Sequence, residues 1–213
     1  MGQIALPLDM QPGGQPRRIV VGPANARVVE AFAQAESWPF RTAILFGPPR
    51  SGKSLLAHWF VAQGRGEAID DADRMDETTL FHGWNRAQQQ DRPLLLTATA
   101  VTGDAAGWRI ELPDLASRLG AALRLDIGTP DDAMMADLIA AHAEARGLAI
   151  GEDGARYLAL RAERSHVGVE RLVATIDRLS LERKTAPGPA IWREALDEVI
   201  GDEVSGRGQP RLL

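Results

Sequence analysis

The stretch Gly47-Pro48-Pro49-Arg50-Ser51-Gly52-Lys53-Ser54 has the spacing G-x-x-x-x-G-K-[ST], which binds phosphate. Two glycines, lacking a Cβ, let the backbone turn tightly and bring its N–H groups against anionic oxygens. The helix that opens near Gly52 adds unpaired donors and the positive end of its dipole. Lys53 supplies a mobile charge for the β and γ phosphates, and the Ser54 hydroxyl is placed to ligate Mg²⁺. Among 24 Lys+Arg only Lys53 and Lys184 are lysine, so the chain normally uses arginine for positive charge. A planar guanidinium does not replace a phosphate-loop lysine. The chemistry implied is the holding of a nucleoside di- or triphosphate, ATP or ADP, with Mg²⁺.

A second acidic element follows. In Ile69-Asp70-Asp71 an apolar strand end runs into paired carboxylates, with Asp70 placed to hold the metal through water and Asp71 to orient an attacking water. The alternative is an acidic turn with no metal role. Leu94-Leu95-Leu96-Thr97-Ala98-Thr99 ends in hydroxyls, Thr97 and Thr99, near the expected γ-phosphate position.

The elements that must position these groups follow from periodicity. Thr42 to Phe46 is an apolar run before the loop, and Leu55 to Val61 an amphipathic segment after it. Thr78 to Gln90 reads as a helix, 94–99 as a buried strand, Pro113 onward as a helix with proline in its first turn, and Ala122 to Ile127 as a strand. Such alternation predicts an α/β fold, a parallel sheet covered by helices with its ligand at the carboxyl ends of the strands. From Thr129 only helices are expected: one starting at Thr129-Pro130-Asp131-Asp132, one over about 153–163, and two carrying apolar stripes at Val169, Leu172, Val173, Ile176 and at Ile191, Ala195, Leu196, Val199. The expected division is a tail over 1–17, an α/β domain over 18–127, a helical lid over 128–200 and a disordered tail over 201–213. In the first tail the Gly and Pro residues leave no room for a helix or strand. Within it Gln3, Ile4, Leu6, Pro7 and Leu8 form an apolar cluster suited to recognition in an extended form. The leucines packing back on the domain edge is the alternative.

Composition narrows the classes. An apolar content of 45% with 25% charged residues is that of a soluble globular chain, and the absence of cysteine excludes disulfides, thiolate nucleophiles and Cys-based metal sites. A net charge of −5 argues against coating nucleic acid, and residues 128–200 count 9 Arg+Lys against 13 Asp+Glu, a net of −4, so no sequence-specific DNA reading is expected. No signal-peptide pattern or membrane-spanning run is seen, and cytoplasmic residence is the default.

The phosphate loop, Ile69-Asp70-Asp71, the octet Leu112-Pro113-Asp114-Leu115-Ala116-Ser117-Arg118-Leu119 and the helical lid together resemble the DnaA-related AAA+ family. The octet and the Gln3–Leu8 hexapeptide make the chain similar to its Hda-like branch, the regulatory inactivators of DnaA. The resemblance implies that Gln3–Leu8 docks on the DNA-polymerase sliding clamp. It also implies that Arg118 is an arginine finger acting in trans on ATP held by DnaA, with self-association through AAA+ surfaces possible in principle. The plain alternative for Arg118 is a surface arginine paired with Asp114 at helical spacing. The family's lid arginine, called sensor 2, falls on Arg171, or else on Arg164.

The chain departs from that family in two further ways. Lys53 to Asp70 is 70 − 53 = 17 residues, too few for the family's additional strand and helix, so one strand fewer is expected. The sensor 1 position is Thr97 or Thr99 rather than an acid, which implies weak hydrolysis by the chain itself. Two other functions would leave different marks on the sequence. A small P-loop nucleotide kinase would usually begin at its phosphate loop, and a DNA-binding initiator or loader ATPase would need a helix-turn-helix domain.

Overall fold

The computed structural model describes residues 4–7, 18–99 and 108–207. In chain order the elements are β1 (Ile4–Pro7), β2 (Arg18–Val21), α1 (Ala26–Phe32), β3 (Thr42–Gly47), α2 (Lys53–Ala62), β4 (Glu67–Ile69), α3 (Glu77–Gln89), β5 (Leu94–Thr99), α4 (Pro113–Gly120) and β6 (Leu123–Asp126). Four more helices follow: α5 (Asp132–Ala145), α6 (Glu152–Ala159), α7 (His166–Arg183) and α8 (Pro189–Arg207). The chain divides into two compact units, one over Pro23–Gly128 and one joining the residues up to Gly22 with those from Thr129 onward.

The first unit is the expected α/β fold. Its sheet is parallel throughout, in the order β4-β5-β3-β6, and has four strands among the described residues. The 17-residue connection from Lys53 to Asp70 holds only α2 and the turn into β4, so β4 lies at the sheet edge. Central β5 is buried on both faces from Leu94 to Ala98, as a strand between helical layers must be. Each buried leucine there contributes about 1.5–3 kcal/mol relative to exposure. Against it pack Leu80, Trp84 and Ala87 of α3 and Leu115 and Leu119 of α4. A separate cluster of rings joins α1 to α2, with Phe32 5.0 Å and Trp38 5.4 Å from Phe60 between centroids.

The second unit packs α5 on α6 and α7, and α7 on α8. The buried stripes are those expected: Met134, Met135, Leu138 and Ile139 on α5, Val169, Leu172, Val173 and Ile176 on α7, Ile191, Ala195 and Val199 on α8. Helix α5 starts one turn-element later than anticipated. Asp131 is its cap, accepting from the Met134 N–H at 2.8 Å, so Pro130 precedes the helix and does not sit in its first turn. No helix among the described residues is long and apolar enough to cross a membrane.

Three expected boundaries change. Ile4–Pro7 is a strand, paired antiparallel with Arg18–Val21 in the register Ile4↔Val21 to Pro7↔Arg18. Four residues between Gly/Pro-rich flanks carry no periodicity, and the pairing partner supplies the order that the segment lacks alone. Residues 18–22 belong with the helical unit rather than the α/β unit, because β2 packs on α5 and Gly22 lies against Met134, whose Sδ a Cβ would meet at 3.0 Å. Helix α8 runs to Arg207, so helix replaces the expected tail over 201–207, and residues 208–213 lie outside the described residues.

Half-buried His142 on α5 gives the helical unit a pH response. Burial first, then Arg146, hold its imidazole below the ordinary histidine value of 6.5, with Glu170 opposing, and its buried Nδ1 has no hydrogen-bond partner. The folded chain therefore releases this proton more readily than the unfolded one. Stability from this group is full above pH 6.5 and falls as pH drops through that value toward the lower folded pKa. The melting temperature should fall between about pH 7.5 and about pH 5.5, and His142→Gln should flatten part of that fall. An unchanged profile in His142→Gln would refute the assignment.

Candidate functional site

Strand register brings the candidate residues to one end of the sheet. Gly47 is level with Thr99, Leu45 with Thr97, and Ile69 with Leu96. Asp70, the residue after Ile69, thus comes level with Thr97, while the phosphate loop leaves β3 beside Thr99. No local pattern specifies this pairing, which depends on how three strands slide past one another.

The loop itself is built around its glycines. A Cβ on Gly47 would lie 2.6 Å from Ser51 Oγ and 3.2 Å from Ile127, so only glycine fits. Gly52 caps α2 at φ 87°, in the left-handed region, where a side chain would be strained. Arg50 adopts φ 58° and pairs within the fold. Pro48, Pro49, Arg50 and Ser54 are exposed, whereas Ser51 is buried with its Oγ unpaired, so its side chain shapes the loop from behind. Lys53, only 6% exposed, donates from Nζ to the Gly47 and Pro48 carbonyls at 3.0 Å each. Burial holds its ammonium below the usual lysine range, and Asp71, Asp73 and Asp70 oppose that effect in decreasing order.

Thr97 is fully buried, and its hydroxyl is committed to the two acids. It donates to Asp70 Oδ1 at 2.5 Å and accepts from the Asp71 N–H at 2.9 Å. Thr97 therefore sets the acids in place, and half-buried Thr99 is the hydroxyl left at the strand end. Asp71 is exposed and left-handed at φ 48°, a conformation tied down by that hydrogen bond. Asp73 was not singled out from the sequence. The 3-10 turn Ala72–Arg74 returns it toward β5, where Oδ2 accepts from the Thr99 N–H at 3.2 Å while Oδ1 is buried without a partner. Its signal was only its place three residues after Asp70.

The donor set fits a magnesium nucleotide. The loop offers backbone N–H groups, a buried ammonium and the exposed Ser54 hydroxyl, with exposed Asp70 across from it. Among the described residues no group of three or more His, Asp or Glu side chains is arranged to hold a metal alone. Mg²⁺ at this site would rest on Ser54, Asp70 and phosphate oxygens, the usual sharing for that ion.

Arg118 lies on α4, away from the loop in sequence. Its Nε and Nη2 donate to Asp114 Oδ1 and Oδ2 at 3.0 Å each, a two-pronged pair. The guanidinium carbon lies 4.4 Å from the Trp84 ring centroid and 5.3 Å from that of Phe81. The start of α4 is pinned by Glu77, whose carboxylate accepts from the Glu111 and Leu112 N–H groups at 2.8 and 2.7 Å. Arg171 and Arg164 both belong to the helical unit. Arg164 pairs with Asp132 at 2.5 Å, and Arg171 is exposed and makes interactions of its own. Of the hexapeptide, the backbone of Ile4, Leu6 and Pro7 is in β1, while Gln3 and Leu8 lie outside the described residues.

A parallel sheet with a phosphate loop between β3 and α2, followed by a small helical unit, is the AAA+ P-loop fold. No protein-family model and no curated protein matches the chain. Among solved structures it is similar to domain III of the replication initiation protein DnaA of Thermotoga maritima. That match has a TM-score of 0.70 at 14% identity, covering 90% of this chain and 99% of that one. It is also similar to RuvB of Thermotoga maritima, a Holliday junction branch migration motor, with a TM-score of 0.59 at 19% identity over 83% of this chain and 69% of that one. A DNA replication initiation factor matches with a TM-score of 0.58 at 16% identity, over 83% of this chain and 68% of that one. At these identities the likeness is one of fold.

Proposed function

We propose that this chain is a DnaA-related AAA+ regulator. It holds an adenine nucleotide with Mg²⁺ on Gly47–Ser54, docks on the DNA-polymerase sliding clamp through Gln3–Leu8, and promotes hydrolysis of ATP on DnaA through Arg118. The outcome is restraint of re-initiation. The observation that carries this reading is Arg118 itself, set at the surface of α4 on the α/β unit, within an octet that resembles the family's. The likeness to DnaA domain III over nearly its full length supports a partner of the same architecture.

In this scheme the chain's own nucleotide is a clasp more than a substrate. The sensor 1 position, Thr97 or Thr99, carries a hydroxyl rather than an acid, and the hydroxyl of Thr97 is spent on Asp70 and Asp71. Hydrolysis by the chain alone is accordingly weak, and the main effect falls on the partner. The deciding assay follows ATP hydrolysis on ATP-loaded DnaA with DNA-loaded clamp present. Wild-type chain should stimulate it. Gln3→Ala with Leu6→Ala should abolish clamp binding and lower stimulation at least tenfold, while ADP binding stays unchanged. Stimulation absent with wild type would sink the reading, and undiminished clamp capture by the double variant would sink the docking segment. A loader ATPase acting through another partner would appear as tight nucleotide binding without any effect on DnaA.

A further inference from the structure

Arg118 is not extended toward solvent: it is folded back along its own helix. Both prongs of its guanidinium are taken by Asp114 at 3.0 Å, and its flat face covers Trp84 at 4.4 Å with Phe81 beside it. About a third of the side chain remains exposed. The Nε–Nη2 edge, one of the two in-plane edges that would grip a phosphate through paired N–H donors, is thus taken by a carboxylate of the same chain. We propose that Asp114 is a latch that stows Arg118, and that the phosphates of a nucleoside triphosphate held by a second AAA+ subunit displace it. This inference rests on the function proposed above and assigns Asp114 as a positioning residue for it.

Magnitudes make the latch workable. An exposed i,i+4 pair of good geometry biases a side chain by about two- to fivefold. A phosphoryl-transfer site gains about a thousandfold or more from an arginine, so it can draw Arg118 away. The ring of Trp84 has a separate effect. Its Nε1 is anchored on Thr42 Oγ1 at 3.1 Å and it is 4% exposed, so the platform under the guanidinium is fixed whether or not Asp114 holds the prongs. A latch of this kind lowers the fraction of chain ready to engage without altering what happens once it has engaged.

The same architecture occurs once more in the unit and supplies a control. Arg124 is forked on Asp126 at 3.0 and 2.8 Å and lies 4.2 Å from the Phe46 ring, but both residues stand on β6, outside the octet. Only the fork on α4 should matter to the partner.

The test titrates the full chain into ATP-loaded DnaA with DNA-loaded clamp and reads half-saturating concentration and plateau separately. Asp114→Asn should lower the half-saturating concentration two- to fivefold at an unchanged plateau. Asp126→Asn should behave as wild type, and Asp114→Asn with Arg118→Ala should be as inactive as Arg118→Ala alone. A purely structural role for Asp114 would instead reduce the plateau together with the melting temperature. If wild type stimulates and Asp114→Asn is equal or weaker, the latch is overturned and the proposed function stands. If wild type and Asp114→Asn both fail to stimulate, the function and the latch fall together.

Discussion

Arg118→Ala is expected to reduce stimulated hydrolysis on the partner by about 10³-fold, or ~4 kcal/mol of transition-state stabilisation. The charge that develops as the γ-phosphoryl group leaves is spread over oxygens a guanidinium can bridge, and alanine leaves that charge to water. A role confined to this chain would look different. Losing the fork to Asp114 and the stack on Trp84 should cost roughly 1 kcal/mol of stability, a small drop in melting temperature. The two effects separate cleanly because the site proposed for the chain's own nucleotide uses other residues. ADP affinity should therefore be unchanged in Arg118→Ala. Arg118→Lys sharpens the comparison, since it keeps the charge and loses the planar fork, and it should recover little of the stimulation. Full activity in Arg118→Ala would remove this residue from the mechanism.

Lys53→Met should weaken ADP and ATP binding by about 10²-fold while leaving the fold intact. The lysine is buried, and burial already works against its charge, so a methionine of similar reach removes an ionic group from an unfavourable place. Of its present partners, the Pro48 carbonyl lies on the exposed loop and can turn to water, whereas the Gly47 carbonyl ends β3 in buried surroundings. Thermal shift gives the readout. Nucleotide at a hundred times its Kd stabilises wild type by about 2.7 kcal/mol, and after a hundredfold loss the same concentration yields about 0.4 kcal/mol. A melting temperature that still rises normally with ADP would place the nucleotide elsewhere.

Much of this architecture was legible in the residues, for identifiable reasons. The phosphate loop was legible because its two glycines are required, Gly47 by close packing and Gly52 by its left-handed conformation, and because a lysine stands out in an arginine-rich chain. The strands and lid stripes were legible through their period. The shortened sheet followed from counting residues between Lys53 and Asp70. What stayed hidden depends on contacts distant in sequence. The commitment of Thr97 to Asp70 and Asp71 follows from the alignment Ile69↔Leu96, and the approach of Asp73 to Thr99 from the turn after β4. The border near residue 18 was misplaced because β2 adjoins the α/β unit in sequence but packs on α5. Trp84 as a platform for Arg118 was hidden because the two stand on different helices, distant in sequence.

The segment proposed to dock on the clamp is also half of a β ribbon. While Ile4–Pro7 is zipped to Arg18–Val21, the segment sits one strand spacing, about 4.8 Å, from the helical unit's own backbone. Nine residues, the number from 9 to 17, reach at most roughly 30 Å when fully extended. The ladder of four residue pairs belongs to the helical unit. Under the proposed function, a clamp that takes up Ile4–Pro7 would have to replace those backbone hydrogen bonds, so docking and pairing with β2 compete.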